Sequence, residues 1–162
     1  MLIHQDVSGV DKCGVVVSLP RYSGMAVSAY SASARAKGAP VFLVYGYTAG
    51  QEVVATTPTT TTRCEIGFAV DAVAAGKIGL FLVSGKNFPA LIDDTSDVAL
   101  GRCLEVITAG VSLIDAGTST YAALTVHAIL EEAVTAAEGG GSPVLKNVMV
   151  PPSHPYKTIA GS

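Results

Sequence analysis

Apolar residues along the chain occur in short runs that glycine, proline or small polar residues interrupt. Runs of about four to eight residues that are rich in Val, Ile, Leu and Phe and bounded in this way are typical of β-strands. Turn signals that recur about every 8–12 residues favour an all-β sandwich or barrel. Gly85 is expected to close a hairpin after the strand at 77–83. We predict strands at residues 12–19, 25–30, 40–45, 52–55, 64–70, 77–83, 88–92, 102–107 and 111–115.

The segment 121–137 fits two structures. Its Ala, Leu and Glu residues could form one helix of about four turns. It also belongs to an internal repeat, because residues 68–83 and 128–150 both give an apolar run, an acidic residue, Ala-Val, small residues, a glycine and a second apolar run. If the repeat is real, 121–130 is a strand and 138–142 is a hairpin loop. We favour the strand and expect at most one short helix in the chain.

Three segments outside the predicted strands have a composition that favours extended or loop structure. Residues 31–37 are rich in alanine but too short for a stable isolated helix, so an extended link or a single turn is expected. Residues 56–62 are rich in threonine and contain Pro58, which favours an exposed loop or a sheet edge. Prolines at 151, 152 and 155 make the C-terminal segment stiff and extended. We therefore predict an N-terminal arm (1–36), a β domain (37–150) and a C-terminal tail (151–162).

Composition narrows the function. Hydrophobic residues make up 49% of the 162 residues and charged residues only 14%, against about 25% in an average protein. Ten Lys and Arg against thirteen Asp and Glu give a net charge of −3, which argues against binding nucleic acid through its phosphates. The apolar stretch 66–83 is interrupted by Asp71, Gly76 and Lys77, so we expect no membrane helix. Residues 1–6 lack the basic start of a secretory signal. So little charge favours a subunit whose surface is shared with neighbours.

Cysteine and histidine do not form a recognisable site. No C-x-x-C pair occurs, so neither a zinc site nor a disulfide framework is predicted, and the cysteines are interpreted as small buried hydrophobic residues. His127 lies in an apolar run and is expected to face a packed surface. The residues concerned are Cys13, Cys64, Cys103, His4, His127 and His154.

Acidic residues offer two further candidate sites. Asp93, Asp94 and Asp97 could bind a hard cation such as calcium, but the rest of an EF-hand loop is missing. Asp93 or Asp94 could form an acid/base pair with a distant carboxylate, at 115, 131 or 132, although nothing in the sequence brings them together. The glycine-rich segment 138–142 lacks the lysine of a phosphate-binding loop. We therefore predict no catalytic residues, no cofactor site and no metal site.

Three stretches of the chain carry a resemblance to a known family: residues 37–44, residues 50–53 and, above all, IGFAVDAVAAGKIGLFLVSG at 66–85. Their spacing of glycine, alanine and apolar runs resembles the small β-rich capsid decoration (cement) proteins of tailed bacteriophages. The resemblance covers about residues 38–85 and, more faintly, the repeat that ends at Val150. It implies a homo-oligomer, a trimer or a dimer with the trimer favoured, that is seated on the junctions between capsid hexamers and has terminal arms reaching to neighbours. It brings no catalytic residues.

The expected function is therefore that of a non-enzymatic decoration protein. It would bind the major capsid protein on the outside of an assembled phage head and stabilise the shell, after synthesis in the host cytoplasm. Neither nucleic acid nor membrane is an expected partner. The segments expected to make contact are 1–23, 56–62 and 151–156. The alternatives are a small β-barrel ligand-binding domain or enzyme, with a site assembled from distant residues, and another virion component such as a tail or fibre protein.

Overall fold

The computed structural model describes residues 15–18, 23–48, 51–57, 65–106, 111–117, 126–139 and 142–152. All of its regular secondary structure is β-strand except for one helix of four residues, which confirms the all-β prediction. The elements are β1 (Val15–Ser18), β2 (Ser23–Ser31), β3 (Pro40–Thr48), β4 (Gln51–Thr56), β5 (Glu65–Ala69), β6 (Lys77–Ile92), β7 (Cys103–Val106), β8 (Leu113–Asp115), β9 (Ala128–Leu130), the short helix α1 (Ala136–Gly139) and β10 (Val144–Val150).

The strands close into two five-stranded rings that share the 16-residue strand β6. The first barrel has the order β2-β4-β3-β5-β6 and closes through the pairing of β6 with β2. The second barrel has the order β6-β10-β9-β7-β8 and closes where Ile92 pairs with Leu113. At this closure the Asp93 N–H donates to the Leu113 carbonyl at 2.9 Å. β1 lies outside both rings, antiparallel to β2.

The second barrel repeats the first. In each ring one pair of strands is parallel, β2–β4 and then β6–β8, and every other pair is antiparallel. An isolated bridge joins Arg35 to Val73 in the first barrel and Val98 to Val134 in the second. Gly38 and Gly101 then follow three residues after these bridges, with φ angles of 75° and 83°. The repeat predicted from residues 68–83 and 128–150 is confirmed and extends to the whole barrel.

β6 passes from one barrel to the other without a turn, so the prediction that Gly85 closes a hairpin is wrong. The register between β2 and β6 shifts at Met25/Ala26, and the register between β10 and β6 shifts between Val148 and Val150. Such bulges bend and twist a strand without ending it. The predicted strands 77–83 and 88–92 are therefore the two halves of one strand.

The interior of the first barrel is filled by side chains. Val41, Leu43 and Phe81 are fully or almost fully buried and belong to one cluster. Gly67 makes room for them, because a Cβ at this position would lie 3.0 Å from the Phe81 Cβ and 3.1 Å from the Leu43 Cδ1. The remaining buried members of this cluster are Val27, Ala29, Ala55, Ala69, Val73 and Val83.

The second core joins the two barrels. Phe88, Leu104 and Leu130 lie in the second barrel and form one cluster with Phe42 and Phe68 of the first. The rings of Phe68 and Phe88 lie 6.2 Å apart in a tilted arrangement. Because the outer wall of the first barrel is buried here, β5 is apolar on both faces. This explains the continuous apolar run in its sequence.

Two expected boundaries change. The arm expected at 1–36 includes β2, which pairs with β6 from Ser23 to Ser31, so the β domain begins at Ser23 and not at residue 37. The segment 121–137 contains the strand β9 and helix only at Ala136–Gly139, which excludes one long helix, while 121–125 lie outside the described residues. Residues 32–39 form no helix, as expected.

Candidate functional site

The candidate acidic residues of the second barrel hold loops in place. Asp94 accepts hydrogen bonds from the Ser96 N–H at 3.0 Å and from the Asp115 N–H at 2.8 Å. The Asp115 carboxylate receives a two-pronged contact from Arg102, in which the shortest distance is 2.7 Å. Asp94 and Asp115 are thus neighbours, as an acid/base pair would require. Their oxygens, however, bind backbone N–H groups and a guanidinium.

The other acidic candidates have similar roles. Asp97 accepts a hydrogen bond of 2.8 Å from the Ala136 N–H, where α1 begins. Glu131 accepts one from the Asn87 N–H. Lys146 forms ion pairs with Glu132 at 3.3 Å and Glu138 at 3.0 Å. Hydrogen bonds from the Thr135 backbone and from Lys146 lower the pKa of Glu138 to about 2. Within the described ranges, no three His, Cys, Asp or Glu side chains are grouped to bind a metal.

His127 and Cys103 lie in packed surroundings. The Nδ1 of His127 accepts a hydrogen bond from the Val106 N–H at 3.0 Å, and its ring lies 6.3 Å from that of Phe42. Burial lowers the pKa of His127 to about 4, so the ring is neutral at pH 7. Cys103 is a buried free thiol. These two positions agree with the sequence predictions, and the remaining histidines and cysteines (His4, Cys13, Cys64 and His154) lie outside the described residues.

Arg35 is a buried cation that the sequence did not reveal. It is only 7% exposed, and its guanidinium donates to the hydroxyls of Ser31 at 3.3 Å and Thr57 at 3.1 Å. Burial lowers its pKa below the ordinary value. The corresponding residue of the second barrel is the buried Val98. Within the Ala-rich stretch 31–37 nothing distinguishes this arginine from an exposed one.

An open groove lies on the outer wall of the first barrel. It has a volume of about 380 Å³ and runs between residues 70–74 and the beginning of β6. Ile78 and Leu80 line it, although they are 63% and 36% exposed, and Asp71 and Lys77 flank them. We call this surface, together with Ser28, the wall groove. The sequence did not reveal it, because outward-facing Ile78 and Leu80 continue the apolar run of the buried half of β6.

Further large apolar side chains are exposed elsewhere. Leu100 is 68% exposed at the tip of the connection between β6 and β7, and Val111 is 52% exposed before β8. Met25 and Leu145 are also exposed. Lone exposed apolar residues are ordinary on proteins, but here they accompany a wall groove with apolar lining. An outer surface of this kind suits contact with other proteins.

The segments expected to make contact are described only in part. Residues 15–18 of the N-terminal segment form β1. Thr56 ends β4, and its hydroxyl donates to the Phe42 carbonyl at 3.2 Å. Pro151 is half-buried and Pro152 is exposed. The rest of the segments 1–23, 56–62 and 151–156 lies outside the described residues, apart from Thr57 and Ser23.

Comparisons with known proteins show a likeness at the level of structure. No protein-family model matches the chain, and no curated protein matches it. Among solved structures, the chain is similar to the N base of the head fiber gp8.5 of bacteriophage phi29, with 15% sequence identity and a TM-score of 0.49. The match covers 79% of this chain and 94% of the other. In the described part of the chain, no helix is long and apolar enough to cross a membrane.

Proposed function

We propose that this chain is a non-enzymatic structural component of a phage virion, a decoration protein that binds the outside of an assembled head and stabilises it. The observation that carries the proposal is the position of β1 and β10, the first and last described strands. Val17 pairs with Gly24, Gly24 with Gly85, and Gly85 with Val150. β1 and β10 therefore lie within one row of four strands, about 14 Å wide.

The directions of the outer strands add to this argument. β10 is antiparallel to β6, so at Val150 it points towards the beginning of β6. β1 is antiparallel to β2, so its Val15 end points in the same direction along the first barrel. Arms continuing from these two neighbouring strand ends could reach one common partner surface. This is the geometry that a decoration protein with capsid-binding arms needs.

The packed interiors favour this function over that of a ligand-binding barrel. In barrels that hold a small ligand, the interior is a cavity. Here large side chains fill both rings, and Gly67 is needed to fit Phe81 and Leu43 into the first. The carboxylates singled out as acid/base candidates are held by loop contacts. The outer surface therefore offers more to a partner than the interior does.

Binding would stabilise the head through simple linkage. A protein that binds the expanded lattice and not the free capsid subunit favours the lattice by mass action. Several weak contacts per oligomer add through effective concentration, and a trimer would present three sets. Low surface charge is compatible with this role, because the centres of protein interfaces are depleted of charge.

Co-sedimentation tests the proposal. The purified chain is mixed with expanded heads that lack decoration, with unexpanded proheads and with free major capsid protein. We expect it to pellet with expanded heads alone. Variants that lack residues 1–14 or 153–162 keep every described strand, so they should fold normally, as checked by thermal melting, and bind more weakly. Absence of binding to any shell would refute the proposal, and full binding by a chain without both ends would refute the role of the terminal segments.

A further inference from the structure

Where the two barrels meet, a loop of the first barrel packs against the outer wall of the second barrel. The Gly38 carbonyl accepts a hydrogen bond from the Leu91 N–H at 3.0 Å. A Cβ at Gly38 would lie 2.6 Å from both the Leu145 Cδ2 and the Pro89 carbonyl oxygen. The connection at 36–39 is therefore in close contact with the outer wall formed by β6 and β10.

The duplication shows where the same surfaces lie elsewhere in the chain. The parallel pair Ser31–Ala55 of the first barrel corresponds to the parallel pair Ile92–Leu113 of the second. Ser28 lies three residues before Ser31, and Pro89 lies three residues before Ile92, so these two positions are also equivalent. Ser31 pairs with Lys77 on β6, and Ile92 pairs with Val144 on β10, so Lys77 and Val144 are equivalent. The residues that follow them, Ile78 and Leu145, are therefore equivalent as well.

Each of these equivalent surfaces is open. Gly101 corresponds to Gly38, and a Cβ added to Gly101 would meet no atom of the described residues within 4 Å. Leu100, beside it, is 68% exposed. Ser28 and Ile78, the counterparts of Pro89 and Leu145, line the wall groove, and Ile78 is 63% exposed, against 44% for Leu145, which the Gly38 loop contacts. Among the described residues, one loop thus lacks a wall and one wall lacks a loop.

We propose that the loop 98–102 of one copy docks in the wall groove of a second copy, so that copies associate head to tail. The side chains agree with this arrangement. Leu100 occupies the position that Lys37 has in the first barrel, so the free loop is apolar where its counterpart is charged. Ile78 and Leu80 give the wall groove an apolar lining as well. Tyr30 is the counterpart of Leu91, whose N–H bonds to the Gly38 carbonyl. Because Tyr30 is already paired with Val54 of β4, the docked loop would be held by side chains and not by an equivalent backbone hydrogen bond.

A head-to-tail contact joins two different surfaces, so it forms a closed ring or an open chain. A ring of three copies would be the trimer that the resemblance favours over a dimer. The inference adds a self-contact to the proposed function. It does not rest on capsid binding, because it is tested on the free protein, and either can fail without the other.

The test is sedimentation velocity of the full chain up to about 1 mM, where a contact with a Kd in the millimolar range becomes visible. The wild type should self-associate. Leu100→Lys places at the loop the lysine found at position 37, and Ile78→Lys alters the wall groove. Each should raise the apparent Kd by about tenfold or more, since a desolvated apolar side chain is replaced by a charge. Val111→Lys makes the same change at a position that is 52% exposed and outside both surfaces, so it should leave association unchanged.

Mixing the two variants distinguishes a head-to-tail contact from a symmetric one. Leu100→Lys keeps an intact wall groove and Ile78→Lys keeps an intact loop, so equal amounts should form a one-to-one dimer that does not grow. The inference is overturned if the wild type stays monomeric throughout, if Val111→Lys disrupts association as strongly as the other two, or if the mixture remains monomeric. Far-ultraviolet circular dichroism confirms folding, and because all three positions are exposed, each variant is expected to fold.

Discussion

Gly38 and Gly101 hold the same backbone conformation in surroundings that differ. Their φ angles of 75° and 83° lie in the left-handed region, which glycine adopts without strain. Gly38 is in close contact with the second barrel, whereas no atom of the part of the chain that the structure describes lies within 4 Å of a Cβ at Gly101. A side chain added at either glycine therefore has a similar conformational cost. Any difference in stability between the two substitutions reports how closely Gly38 packs against the second barrel.

Replacing each glycine by alanine should separate these two effects. Gly101→Ala should lower the free energy of unfolding by about 1–2 kcal/mol, the cost of a left-handed non-glycine residue. Gly38→Ala should cost more, because its methyl group would overlap Leu145 and the Pro89 carbonyl. Urea denaturation of both variants and the wild type measures the difference. Equal losses would show that the loop at 36–39 is not tightly packed against the second barrel.

His127 should make the protein less stable in acid. Its pKa falls from 6.5 in the unfolded chain to about 4 in the fold, so between these values the unfolded chain binds the proton and the fold does not. Stability attributable to His127 is complete above pH 6.5, declines as the pH falls, and is reduced by up to about 3 kcal/mol below pH 4.

His127→Asn tests this dependence. The asparagine carbonyl can still accept the Val106 N–H, so stability at pH 7 should change by no more than about 1 kcal/mol. Denaturation curves between pH 7 and 4.5 should then show a smaller loss for the variant than for the wild type. Glu138 titrates at lower pH and is common to both proteins. Parallel curves for the two proteins would contradict the role of His127.

The sequence revealed single residues only where their neighbours along the chain are informative. The apolar run around His127 correctly predicted a packed position. Arg35 was not found, because its burial comes from Thr57 and Val73, which are remote in sequence. Asp94 and Asp115 are neighbours only through loop closure at the barrel end, which no local sequence pattern predicts.

β6 is the element that sequence patterning described least well. Gly85 and Asn87 interrupt its apolar run, and such residues ordinarily signal a turn. In the structure they lie where the strand changes barrels. Asn87 has a φ of 53°, and its N–H bonds to Glu131 rather than to a neighbouring strand. The local signal was detected correctly, but a bulge and a turn have the same sequence signature.

Substitutions at Asn87 should reveal this bulge. Asn87→Gly should leave stability unchanged or slightly raised, because glycine adopts positive φ freely. Asn87→Val should lower it by about 1–2 kcal/mol, since a β-branched residue is strained there. Lys86→Val is the matched control, because its neighbouring position is also exposed and its backbone φ is not positive. Thermal melting compares the three, and an equal effect of valine at 86 and 87 would contradict the assignment.

At the scale of the whole molecule, the sequence indicated an all-β fold and half of the duplication. The repeat at 68–83 and 128–150 contains β5 with the first half of β6, and β9 with β10. The other half leaves no sequence signal, because equivalent positions have diverged, as with Arg35 and Val98 or Ser31 and Ile92. A shared strand also hides the duplication, since β6 ends one repeat and begins the next. The boundary expected at residue 37 failed for a related reason, because β2 pairs with β6 across more than 45 residues of chain.

The shared strand has a consequence for unfolding. The cluster in the second barrel continues through Phe68 and Phe42 to the outer wall of the first, so neither barrel can open without exposing part of the other's core. We therefore expect a single unfolding transition, in which the calorimetric and van't Hoff enthalpies agree.

Matched leucine substitutions test this cooperativity. Leu43 is buried in the first barrel and Leu104 in the second, so Leu43→Ala and Leu104→Ala should each lower stability by about 2–5 kcal/mol. Each should move the whole transition to lower temperature, whereas Leu100→Ala, at a position 68% exposed, should change stability by no more than about 0.5 kcal/mol. Scanning calorimetry is done at low protein concentration, where self-association contributes least. A Leu43→Ala variant that unfolds in two steps, with the second at the wild-type temperature, would show that the second barrel is stable by itself and that β6 does not couple the two.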